Sequence, residues 1–328
     1  MKNVLITGSS GFIGYHLSLL YLKKGFRVFG IDNHSDGYDV KLKKWRNIEL
    51  KKNKNFLFNK IDISSEKKLI LYFEKFFKKN KLNTIVNLAA GTGVRKSTLY
   101  PNSYYESNLL GALNLIKLCR KFAVKSFVQA STSSVYGDSK EKSFKVNSET
   151  SKPDSIYAAS KKASEVLLHA YHALYGQNIA ILRFFTVYGP CGRPDMAPFI
   201  FTDAAINNRP INVFGTGKQK RDFTYVDDIV DGIYKSSKLK GLNYLNLGNN
   251  KPVSINNLIK IISKFSNKKI KRFDKPSTPE DVFYTSADIS KTKKIMNWEP
   301  KTDLMEGILN TYNWHISNNK WLKKIKVS

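Results

Sequence analysis

Tyr157 and Lys161 stand four residues apart, in a segment whose apolar positions recur at helical spacing from Ala158 to Leu168. Residues at that spacing share one helix face, so a phenol and an ammonium become neighbours. A free tyrosine has a pKa near ~10, and a cation one turn away favours its phenolate. A phenolate at neutral pH is a usable general base. Tyrosine and lysine pairs also occur on ordinary surface helices, so the pair acquires meaning only from what else the chain carries.

The second chemical signal lies at the start. Residues 3–7 form a buried-strand run, Gly8, Gly11 and Gly14 punctuate a turn, residues 12–24 are amphipathic, and residues 27–31 form a second strand ending at Asp32. Glycines between a strand and a helix permit a tight turn, close backbone approach to a pyrophosphate and close helix packing. Phe12 and Ile13 open the helix, whose N-terminal N–H groups and dipole suit an anion. Asp32 lies where a carboxylate accepts from adenosine ribose hydroxyls, and it would repel a 2′-phosphate. The expected cofactor is therefore NAD rather than NADP. An oxidised nicotinamide would place a second cation near Tyr157.

The elements that must position these groups follow from the same alternation. Strands are expected at 56–61, 84–88, 126–130 and 179–184, with helices at 66–79, 104–122 and from Tyr157 onward. Repeated strand and helix of this length predicts an α/β fold, a doubly wound parallel sheet of Rossmann type, with ligands at the carboxyl ends of its strands. Asp62, Ile63, Ala89, Thr132 and Thr186 fall at that edge. Beyond about residue 190 the alternation loosens. Short strands are expected at 211–214 and 220–226, a returning strand at 244–247, a helix N-capped by Ser254 through Phe265, and a terminal helix near 304–315. The expected division is a dinucleotide-binding part, 1–190 with returning segments near 222–250, and a smaller, mainly substrate-binding C-terminal lobe at 191–328.

Composition narrows the setting. The 328 residues are 41% hydrophobic, without an apolar run near the ~20 residues of a membrane span. The start has no signal-peptide pattern, so a cytoplasmic protein without membrane attachment is expected. Cys119 and Cys191 are too few for a disulfide framework or a zinc site, and no metal is expected. The 55 Lys and Arg against 26 Asp and Glu, a net charge of +29, raise nucleic-acid binding as a hypothesis. Most of that charge is lysine spread through helices and loops, as at 41–54, 67–81 and 260–275. That pattern reads as solvated faces, and nucleic acid is not the expected partner.

With the glycine turn, Asp32, the run Ser131 to Ser134 and the Tyr157/Lys161 pair in this order, the chain resembles the extended short-chain dehydrogenase/reductase family, specifically its nucleotide-sugar epimerases. The likeness covers essentially the whole chain. It implies Thr132, Tyr157 and Lys161 as catalytic residues, and Gly8, Gly11, Phe12, Ile13, Gly14, Asp32, Asp62, Ile63, Ala89, Tyr157 and Lys161 as NAD contacts. Residues 183–197, Gly93 to Arg95 and 39–43 resemble segments of the UDP-glucuronate 4-epimerase branch, with Cys191 a departure before Gly192. That branch implies a UDP-sugar substrate held by Ser133, Ser134, Thr186, Arg193, Arg221 and Asp281, formation of UDP-galacturonate for surface polysaccharide, and a homodimer. A 4,6-dehydratase of this fold typically has Asp-Glu after the threonine; Ser133 and Ser134 stand there instead. Alternatives are a 4-epimerase of neutral UDP-glucose or UDP-N-acetylglucosamine, a UDP-glucuronate decarboxylase, and, from other classes, a non-catalytic dinucleotide sensor or a nucleic-acid binder.

Overall fold

The computed structural model describes residues 1–139, 141–277 and 282–327. Strand β1 (Asn3–Thr7) is buried at every position, as a strand covered by helices on both faces must be. Then come α1 (Phe12–Lys23), β2 (Arg27–Asp32), α2 (Val40–Lys51), β3 (Phe56–Lys60), α3 (Glu66–Phe77) and β4 (Thr84–Asn87). The alternation continues with α4 (Val94–Leu99), α5 (Pro101–Tyr105), α6 (Gly111–Lys121), β5 (Ser126–Thr132), α7 (Ile156–Tyr175) and β6 (Ile179–Phe184). The remainder contributes β7 (Thr186–Tyr188), α8 (Ala197–Asn207), β8 (Ile211–Phe214), β9 (Lys220–Arg221), β10 (Phe223–Tyr225), α9 (Val226–Ser236) and β11 (Leu242–Leu247). Last are β12 (Val253–Ser254), α10 (Ile255–Ser266), β13 (Arg272–Lys275), α11 (Ser290–Met296) and α12 (Leu304–Leu322).

Seven of these strands form one parallel sheet in the order β11-β6-β5-β4-β1-β2-β3. The fold is α/β and Rossmann-like, and the winding reverses between β1 and β4. At such a reversal the flanking helices leave the sheet in opposite directions and open a crevice at the strands' carboxyl ends. Side chains alternate across the sheet with period two. Val4 and Ile6 therefore join Leu17 of α1 and Ile229 and Ile233 of α9 on one face, while Leu5 joins Phe29, Leu69, Phe73 and Leu115 on the other. A third cluster, with Phe201, Val213, Phe223, Leu258, Ile262 and Ile308, gathers α8, α10 and α12 beside the short paired strands.

Tertiary contacts redraw three expected elements. The helix expected over 104–122 is divided by a π-helical turn, Glu106–Leu110, which widens the spiral and turns Asn108 inward. The strand expected over 220–226 breaks at Asp222, whose buried carboxylate accepts from the N–H groups of Asn249 (2.6 Å), Asn250 (3.0 Å) and Ala287 (2.8 Å). The terminal helix runs on to Leu322 because its end packs against α2, with the Trp45 and Trp321 rings stacked at 5.0 Å. The Ser254 cap forms as expected, its hydroxyl accepting from Asn257 N–H at 3.1 Å. Among the described residues no helix is long and apolar enough to cross a membrane.

Candidate active site

The glycine turn closes on the end of β4. Gly8 has φ +66°, a left-handed conformation that side chains rarely adopt, and a Cβ there would lie 2.8 Å from the Ala89 nitrogen. A Cβ on Gly14 would fall on the Gly8 carbonyl oxygen, so α1 can start this close to β1 only with glycine there. Thr7 fastens the same corner: its hydroxyl donates to Asn87 Oδ1 (2.6 Å) and accepts from the Leu88 and Ala89 N–H groups. Asp32 is buried at the end of β2, accepting from Ser10 N–H (3.1 Å) and His34 N–H (2.8 Å). Burial works against the charge of Asp62, but the Asn33 amide and the Ser64 N–H and hydroxyl outweigh it and hold this carboxyl below its ordinary range.

From this corner a cleft of about 550 Å³ runs along the carboxyl edge of the sheet. Its walls include Gly8, Gly11, Phe12, Ile13, Gly14, Asp32, Asp62, Ile63 and Ala89 at one end. Thr132, Ser133, Ser134, Tyr157, Lys161, Thr186 and Arg193 line the rest. The cleft has the size of a ligand site, and the two features a dinucleotide needs, a backbone cradle free of Cβ atoms and carboxylates at successive strand ends, are both present. Arg221 lies outside this lining, on β9, where Nη1 donates to the Lys220 carbonyl at 3.0 Å. Asp281 lies outside the described residues.

Helix α7 brings Tyr157 and Lys161 to the middle of the cleft. Its N-terminus is capped by Ser155, whose hydroxyl accepts from Ala158 N–H, so the first turn that carries Tyr157 is fixed. The Thr132 hydroxyl, at the end of β5, accepts from Ser134 N–H (3.1 Å) and lies 3.1 Å from Ser134 Oγ. Lys161 is buried and donates to the Ala130 carbonyl at 3.0 Å. Burial pushes its pKa down to about 8, with Glu165 acting in the opposite direction.

The expected electrostatic help for Tyr157 needs correction. Burial raises the phenol above its ordinary value, and the groups that oppose the rise are the Thr132 side chain and the Arg193 guanidinium, not Lys161. The reason lies in the order of titration: Lys161, pushed down by burial to about 8, has lost its charge before a raised phenol would ionise, whereas Arg193 keeps its own.

Four residues not identified from sequence hold these groups in place. Glu165, buried one turn beyond Lys161, accepts from Ser131 Oγ (2.6 Å) and, through both oxygens, from Arg183 of β6 (3.0 and 2.8 Å). This network bolts α7 to the ends of β5 and β6. A charged residue in the otherwise apolar run Ile179–Phe184 is the signal that could have revealed it, since a buried charge must be paired. Asn108 of the π turn accepts from Gly91 N–H (2.8 Å) and donates to Ser160 Oγ (2.8 Å), joining the β4 loop to α7. Arg46 of α2, fully buried, reaches the loop at residues 189–195. Its stretch is dense in lysine, which hid the helix face it occupies.

On the substrate side, Thr186 begins β7, its N–H donating to the Asp222 carbonyl at 3.0 Å. Arg193 forms a two-bond pair with Asp195, Nε to Oδ1 at 3.0 Å and Nη2 to Oδ2 at 2.6 Å. Burial disfavours the Arg193 charge, yet Asp195 keeps the guanidinium firmly protonated. The fork expected to face a ligand is thus closed on a neighbour two residues away.

Residues 4–243 match the family model described as NAD dependent epimerase/dehydratase family. The UDP-glucuronate 4-epimerase of Thermodesulfobacterium geofontis is 45% identical over 328 residues, covering 100% of both chains. Among solved structures, the UDP-glucuronic acid 4-epimerase of Bacillus cereus in complex with UDP-glucuronic acid and NAD superposes with a TM-score of 0.88 at 32% identity, over 96% of this chain and 99% of that one. A UDP-glucose 4-epimerase from Thermotoga maritima, solved with UDP-glucose, has the same TM-score of 0.88 at 28% identity, over 97% and 99%.

Proposed function

Because the chain belongs to the NAD dependent epimerase/dehydratase family, we propose that it interconverts UDP-glucuronate and UDP-galacturonate by inversion at C4. The observation that carries this reading is the convergence of Thr132, Tyr157, Lys161 and Arg193 on one cleft that begins at the dinucleotide turn. NAD, when bound, supplies a reversible two-electron oxidation at C4. Gly8, Gly11, Phe12, Ile13 and Gly14 would cradle its pyrophosphate, Asp32 would take the adenosine ribose, and Asp62, Ile63 and Ala89 would border the adenine end. Thr132 holds the sugar O4, and Tyr157 takes its proton and later returns it. Ionisation of a phenol raised by burial depends on positive charge nearby, which Arg193 supplies from within the chain. Ser133 and Ser134 bind the sugar hydroxyls, Thr186 and Arg193 take the carboxylate, and Arg221 and Asp281 hold the UDP portion.

The Arg193–Asp195 pair favours one other reading, the same inversion on a neutral UDP-sugar, because an engaged fork offers less to a carboxylate. Incubation with UDP-glucuronate, UDP-glucose and UDP-N-acetylglucosamine, with chromatographic resolution of the C4 epimers, decides between them. A UDP-pentose with release of carbon dioxide as the main product would instead identify a decarboxylase.

Lys161 has a testable pH signature. Its pKa in the chain is about 8 against an ordinary 10.5, so the free protein holds it neutral between these values. The ammonium that would donate to the nicotinamide ribose is complete only below that window. NAD affinity of the cofactor-free protein should therefore be level below about pH 7 and fall by up to ~10-fold per pH unit above pH 8. Lys161→Met should weaken NAD binding and flatten the profile. A wild-type profile that stays level to pH 9.5 would remove Lys161 from the ribose contact. The stability sign is opposite: the unfolded chain binds more protons across the window, so this residue's contribution to stability rises as pH goes from about 8 to 10.5.

We further place the enzyme in the cytoplasm, where NAD and nucleotide sugars are available, as a homodimer. Exposed Val166 of α7, with Tyr105 and Leu110 on the adjoining helical turns, offers apolar surface for a second copy. Sedimentation velocity should give twice the monomer mass, and Val166→Glu should shift it to monomer. A monomer in the unmodified protein would end this assignment.

A further inference from the structure

The loop that carries Arg193 is held by two tethers from the dinucleotide-binding side. Arg46 donates Nε to Cys191 Sγ (3.3 Å), Nη1 to the Ser10 carbonyl (3.2 Å) and the Tyr38 hydroxyl (2.6 Å), and Nη2 to the carbonyls of Cys191 (2.7 Å) and Gly192 (2.9 Å). All five acceptors are neutral. A guanidinium taken out of water onto neutral acceptors recovers only part of its desolvation cost, so this arrangement is poorly explained as a device for stability. What it does achieve is connection: the glycine turn, the segment before α2 and the loop at 189–195 meet on one planar fork. Cys191 adopts φ +56°, an uncommon conformation for a residue with a side chain, and in it both its own carbonyl and that of Gly192 face Nη2. The next residue is Arg193.

His16 of α1 is the second tether, with Nε2 2.9 Å from the Pro190 carbonyl. Burial pushes its pKa down to about 4, so the ring is neutral, and because a carbonyl only accepts, Nε2 carries the hydrogen. The loop is thus hung from α1 and α2, the helices that flank the cofactor turn, as well as from the strand that leads into it.

We propose that Arg46 is a positioning residue for sugar selectivity, fixing the height in the cleft at which Arg193 meets the substrate. This rests on the reading of Arg193 as the carboxylate contact. Arg46→Lys keeps the charge but replaces a planar five-donor fork with a single ammonium that cannot span the same acceptors. The expected result is a rise of ~10-fold or more in KM for UDP-glucuronate with kcat changed less, while the Kd for UDP-glucose and NAD retention each stay within ~2-fold. Added to Arg193→Ala, Arg46→Lys should cause no further loss toward UDP-glucuronate, because both changes remove one function. Equal losses toward both sugars, or losses that multiply in the double variant, would overturn the proposal. If Arg193→Ala is selective and Arg46→Lys is not, the tether alone is wrong. If Arg193→Ala is itself unselective in substrate affinity, the carboxylate reading and the tether's role in selectivity fall together. Should Arg46→Lys not fold, His16→Leu removes the bond to Pro190, together with a 3.7 Å approach to Asp227 and ring edges against Phe12 and Tyr15, and should raise KM for UDP-glucuronate alone by ~3-fold; an unselective or absent effect there would equally overturn it.

Discussion

Tyr157→Phe should lower kcat by about 10²–10⁴-fold, the range that a positioned acid–base group contributes, while leaving the cofactor bound. The substitution deletes one oxygen. The ring keeps its edge-on contact with Tyr104, whose centroid lies 6.2 Å away, and the first turn of α7 keeps its Ser155 cap. The fold and the cradle at Gly8 to Gly14 therefore have no reason to change. What disappears is the phenol assigned to carry the O4 proton: Thr132 is an alcohol, and Lys161, which donates to the Ala130 carbonyl, is assigned to the nicotinamide ribose. Turnover by product chromatography, together with NAD content of the purified protein, checks both halves of the statement. Turnover near that of the unmodified enzyme would sink the mechanism, and a parallel loss of NAD would mean that the tyrosine acts through the cofactor site.

Arg193→Ala should reduce use of UDP-glucuronate by ~10²-fold, the scale of losing a charge-assisted pair in a desolvated site, while the Kd for UDP-glucose changes little. Oxidation at C4 of a glucuronosyl group creates a β-keto acid, which loses carbon dioxide when the carboxylate bond aligns with the carbonyl π system. A guanidinium that fixes the carboxylate out of alignment protects the intermediate. The variant should accordingly release some carbon dioxide and a UDP-4-keto-pentose. The Arg193–Asp195 pair adds a control, because removing the arginine leaves the Asp195 carboxylate beside the incoming substrate. The variant carrying both Arg193→Ala and Asp195→Ala separates the two effects. Recovery in it would assign the loss to repulsion by Asp195, and continued loss assigns it to the missing guanidinium. A lower kcat shared by charged and neutral sugars is expected from the loss of positive charge near Tyr157, but equal losses of affinity toward both would make Arg193 a structural residue and return the activity to a 4-epimerase of neutral UDP-sugars.

The dinucleotide turn was legible because its constraints are local. A strand, three glycines and an acid at the next strand end act through neighbours in the chain, and the backbone angle at Gly8 and the contact at Gly14 are properties of that short segment. The Tyr157/Lys161 pair was legible for the same reason, since four residues on a helix fix a shared face. The alternation of apolar strands and amphipathic helices likewise carries the parallel sheet in its period.

Orientation was decided elsewhere. Whether the Lys161 ammonium faces Tyr157 or the Ala130 carbonyl depends on where β5 ends beside α7, a register set by Glu165, Arg183 and Ser131 acting across gaps of 18 and 34 residues. The partner of Arg193, the inward turn of Asn108 and the five bonds of Arg46 are of the same kind. Composition hides such groups: Arg46 sits among lysines that read as a solvated face, and only the closure of the loop at 189–195, some 145 residues away, turns it into a buried strut. Residue types and short spacings thus determine which chemistry the chain carries. Which groups face one another is a property of packing, because a buried charge takes the partner that the folded chain leaves within reach.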